Sequence, residues 1–382
     1  MAEALKQAVT EAASTTSGHA LIYAPAVKEG ASDPGPGLAA TTKLLFVTSE
    51  MGDFIKSGGL GEVSAALPRQ LRKLCDVRVL IPGFRSVRAA SPTMDIVSRM
   101  PATADLPPWS LGRFAMPDGL TIYAVLCDEL YDRPGSPYGP FGGGDFADND
   151  IRFARLSLAA AEIASGEADP NWKPDVLHVN DWPSGLAPGY LRWKGLATPS
   201  IITIHNLAYQ GLYHPSRMGA LGIPDRAFAM EGAEFHGNIS FLKAGIFYGS
   251  HVTTVSETYA REITTPEHGC GLEGLLKLRL DEGRLTGIVN GIDDSWNAPA
   301  EKDAPARLVR QWKRQHAAAI RKSFALPPST GPLFSIISRL VHQKGIDLSI
   351  EAAETIVARG GQLVVKGRGD PRLEEAIERL AR

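Results

Sequence analysis

Cysteine is scarce in this 382-residue sequence, which contains only Cys75, Cys127 and Cys270. The three are widely spaced and form no C-x-x-C pair, which argues against a disulfide framework and against a structural zinc site. This usage suits a reducing compartment. We therefore expect a cytoplasmic protein in which all three cysteines are packing residues.

An excess of charge of either sign is also absent. The sequence has 40 basic and 42 acidic residues, a net charge of −2, and no run of five like charges. This balance gives no electrostatic basis for binding nucleic acid or an anionic membrane, so a polymer partner is expected to be uncharged. No stretch approaches 18 consecutive apolar residues, and we expect no membrane-spanning helix.

Residues 1–42 contain no arginine and no apolar run of the length that a secretory signal needs. Their acidic residues outnumber their two lysines, which argues against a transit peptide. Because the segment is rich in alanine, serine, threonine, glycine and proline, we expect a flexible N-terminal extension.

Short apolar runs rich in β-branched residues recur along the chain and predict buried strands. They cover Leu44–Val47, Val77–Ile81, Thr121–Leu126, Val176–Val179, Ile201–Ile204, Val252–Val255, Phe334–Ile337 and Leu363–Val365. Apolar residues with helical spacing lie between them at Ile151–Ile163, Leu186–Leu191 and Ile350–Val357. Strands that alternate with helices predict an α/β fold with parallel sheets.

A polar, proline-containing stretch near residue 300 is typical of a domain crossover. We predict a first domain at 43–300, a crossover linker and helix at 301–331, and the start of a second domain at 332–382. The second segment is short against the roughly 100–200 residues expected of a nucleotide-binding α/β domain, so we expect that domain to be incomplete.

A glycine-rich loop follows the first predicted strand and opens a helix. It contains Lys56, Gly58 and Gly59. Glycines allow a close backbone approach, a helix N-terminus offers unpaired N–H groups, and the lysine adds a positive charge. The pattern predicts an anion site, although a purely structural turn is an equal alternative because the motif is neither a P-loop nor G-x-G-x-x-G.

Polar and aromatic residues follow two further strands, at the edge where ligands bind in open α/β sheets. Asp181 and Trp182 come after Val176–Val179, and His205, Asn206 and Tyr209 come after Ile201–Ile204. Asp181 could hold sugar hydroxyls and Trp182 could pack on a sugar ring. The alternative is that Asp181 caps the next helix and Trp182 belongs to the core.

The most informative segment follows the first strand of the second domain. Arg339 and Lys344 lie there, where they could bind a diphosphate together, the arginine as a bidentate donor and the lysine as a point charge.

Asn290 lies in a tight turn after another short strand, where it could form a hairpin or line a cleft.

Two other segments are better explained as helix N-caps than as catalytic or metal-binding sites. Asp148-Asn149-Asp150 formally matches the Asp-x-Asp of metal-dependent glycosyltransferases, but it precedes a helix, so we expect it to cap that helix. Ser256 and Thr258 are candidate caps for a later helix. No cluster of histidine, cysteine and carboxylates has metal-binding spacing.

Taken together, these segments resemble the bacterial glycogen synthases and plant starch synthases from about Lys43 to the C-terminus. The matching motifs are Lys56–Leu60, Tyr131–Tyr138, Asp148–Phe153, Asp181-Trp182, His205–Gly211, Val255–Ile263, Gly287–Asp293 and Ser338–Gly345. Two features depart from the family pattern. Glu62 replaces the usual aspartate, and the sequence ends before the family's later Glu-x-x-Gly-Leu segment, which implies a C-terminally truncated member.

The resemblance implies a GT-B fold with two doubly wound parallel-sheet domains, the second one incomplete. It implies transfer of glucose from the nucleotide sugar ADP-glucose to an α-1,4-glucan with retention, without a metal or pyridoxal phosphate. By the same resemblance, Lys56, Arg339 and Lys344 stabilise the leaving diphosphate and His205 contacts the transferred glucose. Asp181, Asn206 and Asn290 hold sugar hydroxyls, and no nucleic acid or membrane partner is expected.

Two alternatives remain open at this point. A glucan phosphorylase shares the GT-B plan, but it needs pyridoxal phosphate on a C-terminal lysine in a region that this sequence does not contain. A non-catalytic glucan-binding fragment, or an incomplete gene product, is the alternative from another class, because the second domain is short.

Overall fold

The computed structural model describes residues 41–141, 144–292 and 305–381. Nearly all of the predicted extension at 1–42 lies outside these ranges, and so do residues 293–304, which cover the end of the predicted first domain and the start of the predicted crossover linker. The chain divides into two compact units, one extending to Gly291 and the other beginning at Ile292.

Twelve strands are described in the first unit. They are β1 (Lys43–Val47), β2 (Asp76–Pro82), β3 (Asp95–Met100), β4 (Trp109–Ala115), β5 (Thr121–Leu126), β6 (Val176–Asn180), β7 (Ser200–Ile204), β8 (Leu212–Tyr213), β9 (Glu234–Phe235), β10 (Asn238–Ser240), β11 (His251–Thr254) and β12 (Leu285–Gly287).

The helices of this unit connect those strands. They are α1 (Gly59–Leu71), α2 (Arg85–Ala90), α3 (Asp128–Tyr131), α4 (Asn149–Ser165), α5 (Ala187–Trp193), α6 (Met218–Leu221), α7 (Phe241–Tyr248), α8 (Glu257–Glu262) and α9 (Glu273–Asp281). Short 3-10 turns lie at Trp182–Ser184, Pro215–Arg217 and Asp225–Ala227.

Nine of the strands form one sheet in the order β12-β11-β7-β6-β1-β2-β5-β4-β3. The strands from β12 to β5 are all parallel, which confirms the predicted α/β architecture. At one edge, however, β4 pairs antiparallel with both β5 and β3. The sequence did not predict these two strands. A separate three-stranded antiparallel sheet has the order β8-β10-β9.

The core of the first unit lies around β1, whose residues Leu44–Val47 are fully buried. Helix α4 lies between β5 and β6 in the chain, and every residue in it except Ser165 is buried. Its buried arginines have partners: Arg152 donates to the carbonyls of Leu130 and Pro137, and Arg155 pairs with Glu162. Nε and Nη1 of Arg155 nevertheless make no hydrogen bond to the described residues. The helix ends at Gly166, which has a left-handed φ of 84°.

The cysteines only partly follow the prediction. Cys75 and Cys127 are buried in the core, where burial raises the pKa of each thiol. Cys270 is exposed, so its assignment as a packing residue was wrong. Its backbone carbonyl accepts a hydrogen bond from Gln210 Nε2 at 3.0 Å, which gives the position a structural role through the main chain.

The second unit contains β13 (Leu333–Ile337), β14 (Gln362–Lys366), α10 (Ala306–Ser323), α11 (Ile346–Ala358) and α12 (Pro371–Ala381). Its two strands are parallel, with Leu333 opposite Gln362, and α11 connects them. This is the strand-helix-strand unit that the sequence predicted. None of the helices within the described ranges combines the length and apolar character that crossing a membrane requires.

Candidate active site

The strand order of the main sheet defines the position where a ligand is expected. From β1 the chain proceeds in one direction through β2 and β5, and from β6 it proceeds in the other through β7, β11 and β12. In open α/β sheets, ligands bind beyond the carboxyl ends of the strands at such a reversal. The predicted residues of the first unit lie in the loops after β1, β6, β7 and β12.

The glycine-rich loop after β1 is held by an internal carboxylate. Glu50, only 3% exposed, accepts hydrogen bonds from the N–H groups of Ser57 at 2.5 Å and Gly58 at 3.1 Å through Oε2. Its Oε1 accepts from the Tyr138 hydroxyl at 2.5 Å. Two of the N–H groups predicted to face an anion therefore bind Glu50 here.

Sequence reasoning missed Glu50 and Tyr138 as residues of the site. Burial, together with the Glu50 carboxylate, raises the pKa of the Tyr138 hydroxyl well above its usual value, so it remains a hydrogen-bond donor. The available signal was a carboxylate placed three residues after the buried run Leu44–Val47, where an unpaired charge would be costly.

Lys56 forms an ion pair with Glu62, the residue that replaces the family's aspartate. Both side chains are substantially exposed, which limits the strength of the pair.

The glycines of the loop differ in the space around them. A Cβ added at Gly58 or Gly59 would meet no atom within 4 Å. Neither crowding nor a positive φ requires glycine at these two positions. At Gly61, in contrast, the added atom would lie 2.5 Å from Lys56 Cβ.

Asp181 connects the ends of β6 and β7. It has a φ of 52°, and its Oδ1 accepts from the N–H groups of His205 at 2.7 Å and Asn206 at 3.3 Å. The side chain does not cap the following 3-10 turn, so the capping alternative was wrong. Burial raises the pKa of Asp181 to about 7, although the two N–H donors oppose this shift.

This raised pKa predicts a pH-dependent difference between the Asp181→Asn variant and the unmodified chain. Because the pKa is about 7 in the fold and near 4 when unfolded, Asp181 contributes stability below about pH 4 that is lost as the pH rises to about 7. Asparagine keeps the acceptor oxygen without the charge. Over that interval we expect the free energy of unfolding of the variant to gain roughly 1–3 kcal/mol relative to the unmodified chain. Denaturant titrations across this range measure the difference, and a constant value would contradict the assignment.

Trp182 lies in an aromatic cluster. Its ring centroid is 4.8 Å from that of Phe153 and 6.2 Å from that of Tyr138, with Tyr213 and Phe241 at 6.3 and 6.4 Å. These contacts support the core interpretation of Trp182. The ring is only partly buried, which leaves part of it exposed to a ligand. Its contact with a sugar stays a prediction.

Gly211 packs directly on this tryptophan, so we expect Gly211→Ala to destabilise the fold. The residue has a φ of 60°, and an added Cβ would lie 2.4 Å from Trp182 Cε3. Left-handed strain and overpacking together should lower the free energy of unfolding by about 2–4 kcal/mol. The matched control is Gly219→Ala, because a Cβ there meets nothing within 4 Å. Equal unfolding midpoints for the two variants in denaturant would refute this packing argument.

His205 borders a small cavity of about 20 Å³, which is also lined by Asn180, His178, Thr203, Thr253 and Asn290. Its Nε2 lies 3.0 Å from Asn180 Oδ1. Burial lowers the pKa of His205 to about 4, so the ring is neutral near pH 7. Asn206 Oδ1 accepts from the N–H of Ala208 at 3.1 Å, while the side chain of Tyr209 is 43% exposed.

Asn290 does not form a hairpin. The short strand β12 pairs parallel with β11, and Asn290 is an exposed residue at the mouth of the same cavity as His205. The structure therefore brings together the predicted residues after β6, β7 and β12.

The Asp-x-Asp match neither caps its helix nor collects metal ligands. Asp148 is at the cap position but makes no capping hydrogen bond, so that expectation was wrong. Instead its two oxygens accept from Arg133 at 2.7 and 2.6 Å, and Asp150 pairs with Arg217 at 2.5 Å. Among the residues that the structure describes, no three histidine, cysteine or acidic side chains are grouped as metal ligands.

The other predicted cap is confirmed in part. Ser256 accepts from the N–H of Tyr259 at 3.3 Å and caps α8, whereas Thr258 lies inside that helix.

In the second unit, Arg339 and Lys344 both follow the carboxyl end of β13. Arg339 is partly buried, and Lys344 is the exposed last residue of the 3-10 turn His342–Lys344. Gly345 ends that turn with a φ of 64° and leads into α11. The side chains thus lie on the strand end that the sequence predicted, and their roles stay predictions.

The two units are α/β units of a GT-B glycosyltransferase. Residues 43–278 match the family model for the starch synthase catalytic domain. Over 342 residues, the chain is 54% identical to a glycogen synthase of Pseudomonas syringae pv. syringae, covering 89% of this chain and 70% of that protein. Glycogen synthase 1 of Bradyrhizobium diazoefficiens is 54% identical over 334 residues, covering 86% and 71%.

A solved structure agrees with these relatives. The catalytic domain of starch synthase IV from Arabidopsis thaliana, bound to ADP and acarbose, aligns with a TM-score of 0.73 and 28% identity. The alignment covers 89% of this chain and 71% of that one. The chain therefore belongs to the glycogen and starch synthase family, and the predicted fold class and glycosyltransferase activity are confirmed.

Proposed function

We propose that this member of the glycogen and starch synthase family transfers glucose from ADP-glucose to the non-reducing end of an α-1,4-glucan with retention of configuration. The observation that carries the diphosphate assignment is the open space around Gly58 and Gly59, which follow Lys56 in the loop after β1 at the strand-order reversal. Small residues there allow a diphosphate to approach the backbone. The related starch synthase structure, which is described as bound to ADP and acarbose, supports the same ligand classes.

Negative charge accumulates on the diphosphate as the glycosidic bond to it breaks. We assign its stabilisation to Lys56, Arg339 and Lys344, since preorganised cationic donors are the usual means of stabilising such a charge. Lys56 must exchange its ion pair with Glu62 for the phosphate. Because both partners are exposed, that exchange costs little.

The proposal includes no metal and no pyridoxal phosphate. In the one segment that resembles a metal-binding Asp-x-Asp, both carboxylates already pair with Arg133 and Arg217. Freeing them for a cation would leave two guanidinium groups without their carboxylate partners.

For the transferred glucose we assign contacts to His205, Asn206, Asp181 and Asn290, and for the acceptor side to Tyr209 and Trp182. Neutral imidazole, amide and carboxyl groups suit sugar hydroxyls because they can accept and donate hydrogen bonds at short range. We also propose a cytoplasmic location, because the three cysteines are free and suit a reducing compartment.

Donor selectivity tests this proposal. The purified chain is incubated with glycogen and either ADP-glucose or UDP-glucose carrying labelled glucose, each with and without a chelator. We expect incorporation from ADP-glucose that the chelator does not change, and much slower incorporation from UDP-glucose. Equal use of both donors would contradict the donor assignment. A loss of activity on chelation that added divalent metal restores would contradict the metal-free mechanism.

A further inference from the structure

Asn180 is the last residue of β6, and its side chain is fully buried between two strand ends. Its Nδ2 donates to the backbone carbonyl of Val47, the last residue of β1, at 3.0 Å. Its Oδ1 lies 3.0 Å from Nε2 of His205, which follows β7. The side chain therefore connects the end of β1, on one side of the reversal point, with the loop after β7, on the other side.

The Val47 carbonyl determines how this amide is oriented. A carbonyl oxygen can only accept, so the amide nitrogen must face Val47 and the amide oxygen must face His205. The main chain of Asn180 is fixed as well, because its N–H donates to Ser184 Oγ at 2.7 Å and its carbonyl accepts from the same hydroxyl at 2.8 Å. Asn180 thus has no freedom to reverse its amide without losing a buried hydrogen bond.

The orientation of the amide in turn fixes the proton of the neutral histidine. Because Asn180 Oδ1 can only accept, His205 must carry its proton on Nε2, which leaves the lone pair on Nδ1. Within the described residues, no group hydrogen-bonds to Nδ1. This nitrogen is therefore available to accept from a donor supplied by a bound ligand.

We propose that Asn180 is a positioning residue that holds His205 in the Nε2-protonated tautomer, so that Nδ1 accepts a hydrogen bond from a hydroxyl of the transferred sugar. This inference rests on the proposed function for the identity of the ligand. The tautomer itself is a property of the free protein, so it can be measured without any reaction.

The first test is the tautomer in the unmodified chain. Two-bond ¹H–¹⁵N correlation spectra of protein labelled with ¹⁵N-histidine distinguish the protonated ring nitrogen from the other, and a His205→Gln sample assigns the signal. We expect a neutral His205 near pH 7 with its proton on Nε2. A proton on Nδ1, or a mixture of both forms, overturns the proposal.

The second test removes the acceptor through Asn180→Leu, a replacement of similar size. We expect the His205 signals to become those of a mixture of tautomers. We also expect kcat for glucosyl transfer to fall about 10–100-fold, as loss of one buried hydrogen bond in the reacting complex would give, with a smaller change in KM for the donor. If the variant fails to fold, the measurement on the unmodified chain still decides the tautomer.

Thr203→Val is the matched control. Thr203 lines the same cavity, and its hydroxyl is hydrogen-bonded to His178 Nε2 at 2.7 Å and to Thr253 Oγ1 at 2.6 Å. This variant therefore removes buried polar contacts in the cavity while it leaves the hydrogen bond between Asn180 and His205 in place. It should leave the His205 tautomer unchanged and kcat within about threefold. Equal losses of kcat in the two variants, or an unchanged kcat in Asn180→Leu, would overturn the positioning role. Absence of transfer by the unmodified chain would contradict the proposed function, whereas the tautomer in the same sample tests this inference separately.

Discussion

Lys344→Ala is expected to lower kcat for glucosyl transfer by roughly 10²–10³-fold, the effect typical of losing one preorganised donor to a developing charge. Lys344 is exposed after the carboxyl end of β13, and its ammonium group is assigned to the leaving diphosphate. The loss should appear in kcat and in kcat/KM alike, because the charge that this lysine stabilises grows in the transition state. Initial rates at several ADP-glucose concentrations measure both quantities.

Lys313→Ala is the control for this experiment. Lys313 is an exposed lysine on α10 of the same unit, so the variant changes the net charge by the same amount. It should retain the rate of the unmodified chain within about twofold, since it removes only a solvated surface charge. If Lys344→Ala were as active as Lys313→Ala, the assignment of Lys344 to the diphosphate would be wrong.

Glu50→Ala is expected to produce the largest loss of stability among the single substitutions considered. The carboxylate accepts from Ser57 N–H, Gly58 N–H and the Tyr138 hydroxyl, and only 3% of Glu50 is exposed. Alanine leaves the two N–H groups without this acceptor, leaves the Tyr138 hydroxyl with only its contact to Ser49 Oγ, and opens a cavity beneath the loop. We expect the free energy of unfolding to fall by about 2–5 kcal/mol, together with a higher KM for the donor.

Glu50→Gln separates the hydrogen bonds from the charge. The amide oxygen can still accept from the two loop N–H groups, and the amide nitrogen can donate to the Tyr138 oxygen. We therefore expect less than half of the alanine loss, measured by denaturant unfolding of both variants. Similar losses in both would show that the negative charge, rather than the hydrogen-bond network, holds the loop.

The central strands were predictable because both faces of a parallel sheet are covered. That environment produces continuous apolar runs such as Leu44–Val47 and Ile201–Ile204, which the structure confirms within one residue at each end. Helix α4 was predicted over a shorter range. Sixteen of its residues are buried, including Arg152, Arg155 and Glu162, and a charged residue in a sequence normally indicates an exposed face.

The antiparallel edge was missed for a different reason. Strand β3 has no fully buried residue, and the residues of β4 change from buried at Trp109 to exposed at Ala115. Neither strand shows the continuous run of a central strand or a regular alternation. Their pairing depends on the neighbouring β5, which local sequence patterns do not contain.

Within the site, sequence position located the residues at strand ends but not their partners. Asp181 and His205 were predicted individually, yet the hydrogen bond that joins their loops is visible only in the fold. Glu50 and Tyr138 are 88 positions apart, and Asn180 and Val47 are 133 apart. Such contacts depend on the strand order around β1, which the local patterns did not predict.

The most direct test of glycogen synthase activity is the fate of labelled glucose in the product. The purified chain is supplied with ADP-glucose carrying labelled glucose and with glycogen, and the recovered polymer is digested with β-amylase, which releases maltose from non-reducing ends. We predict label in the polymer and its release as maltose, because transfer adds α-1,4-linked glucose at those ends. Polymer that binds the protein but gains no label would contradict the account.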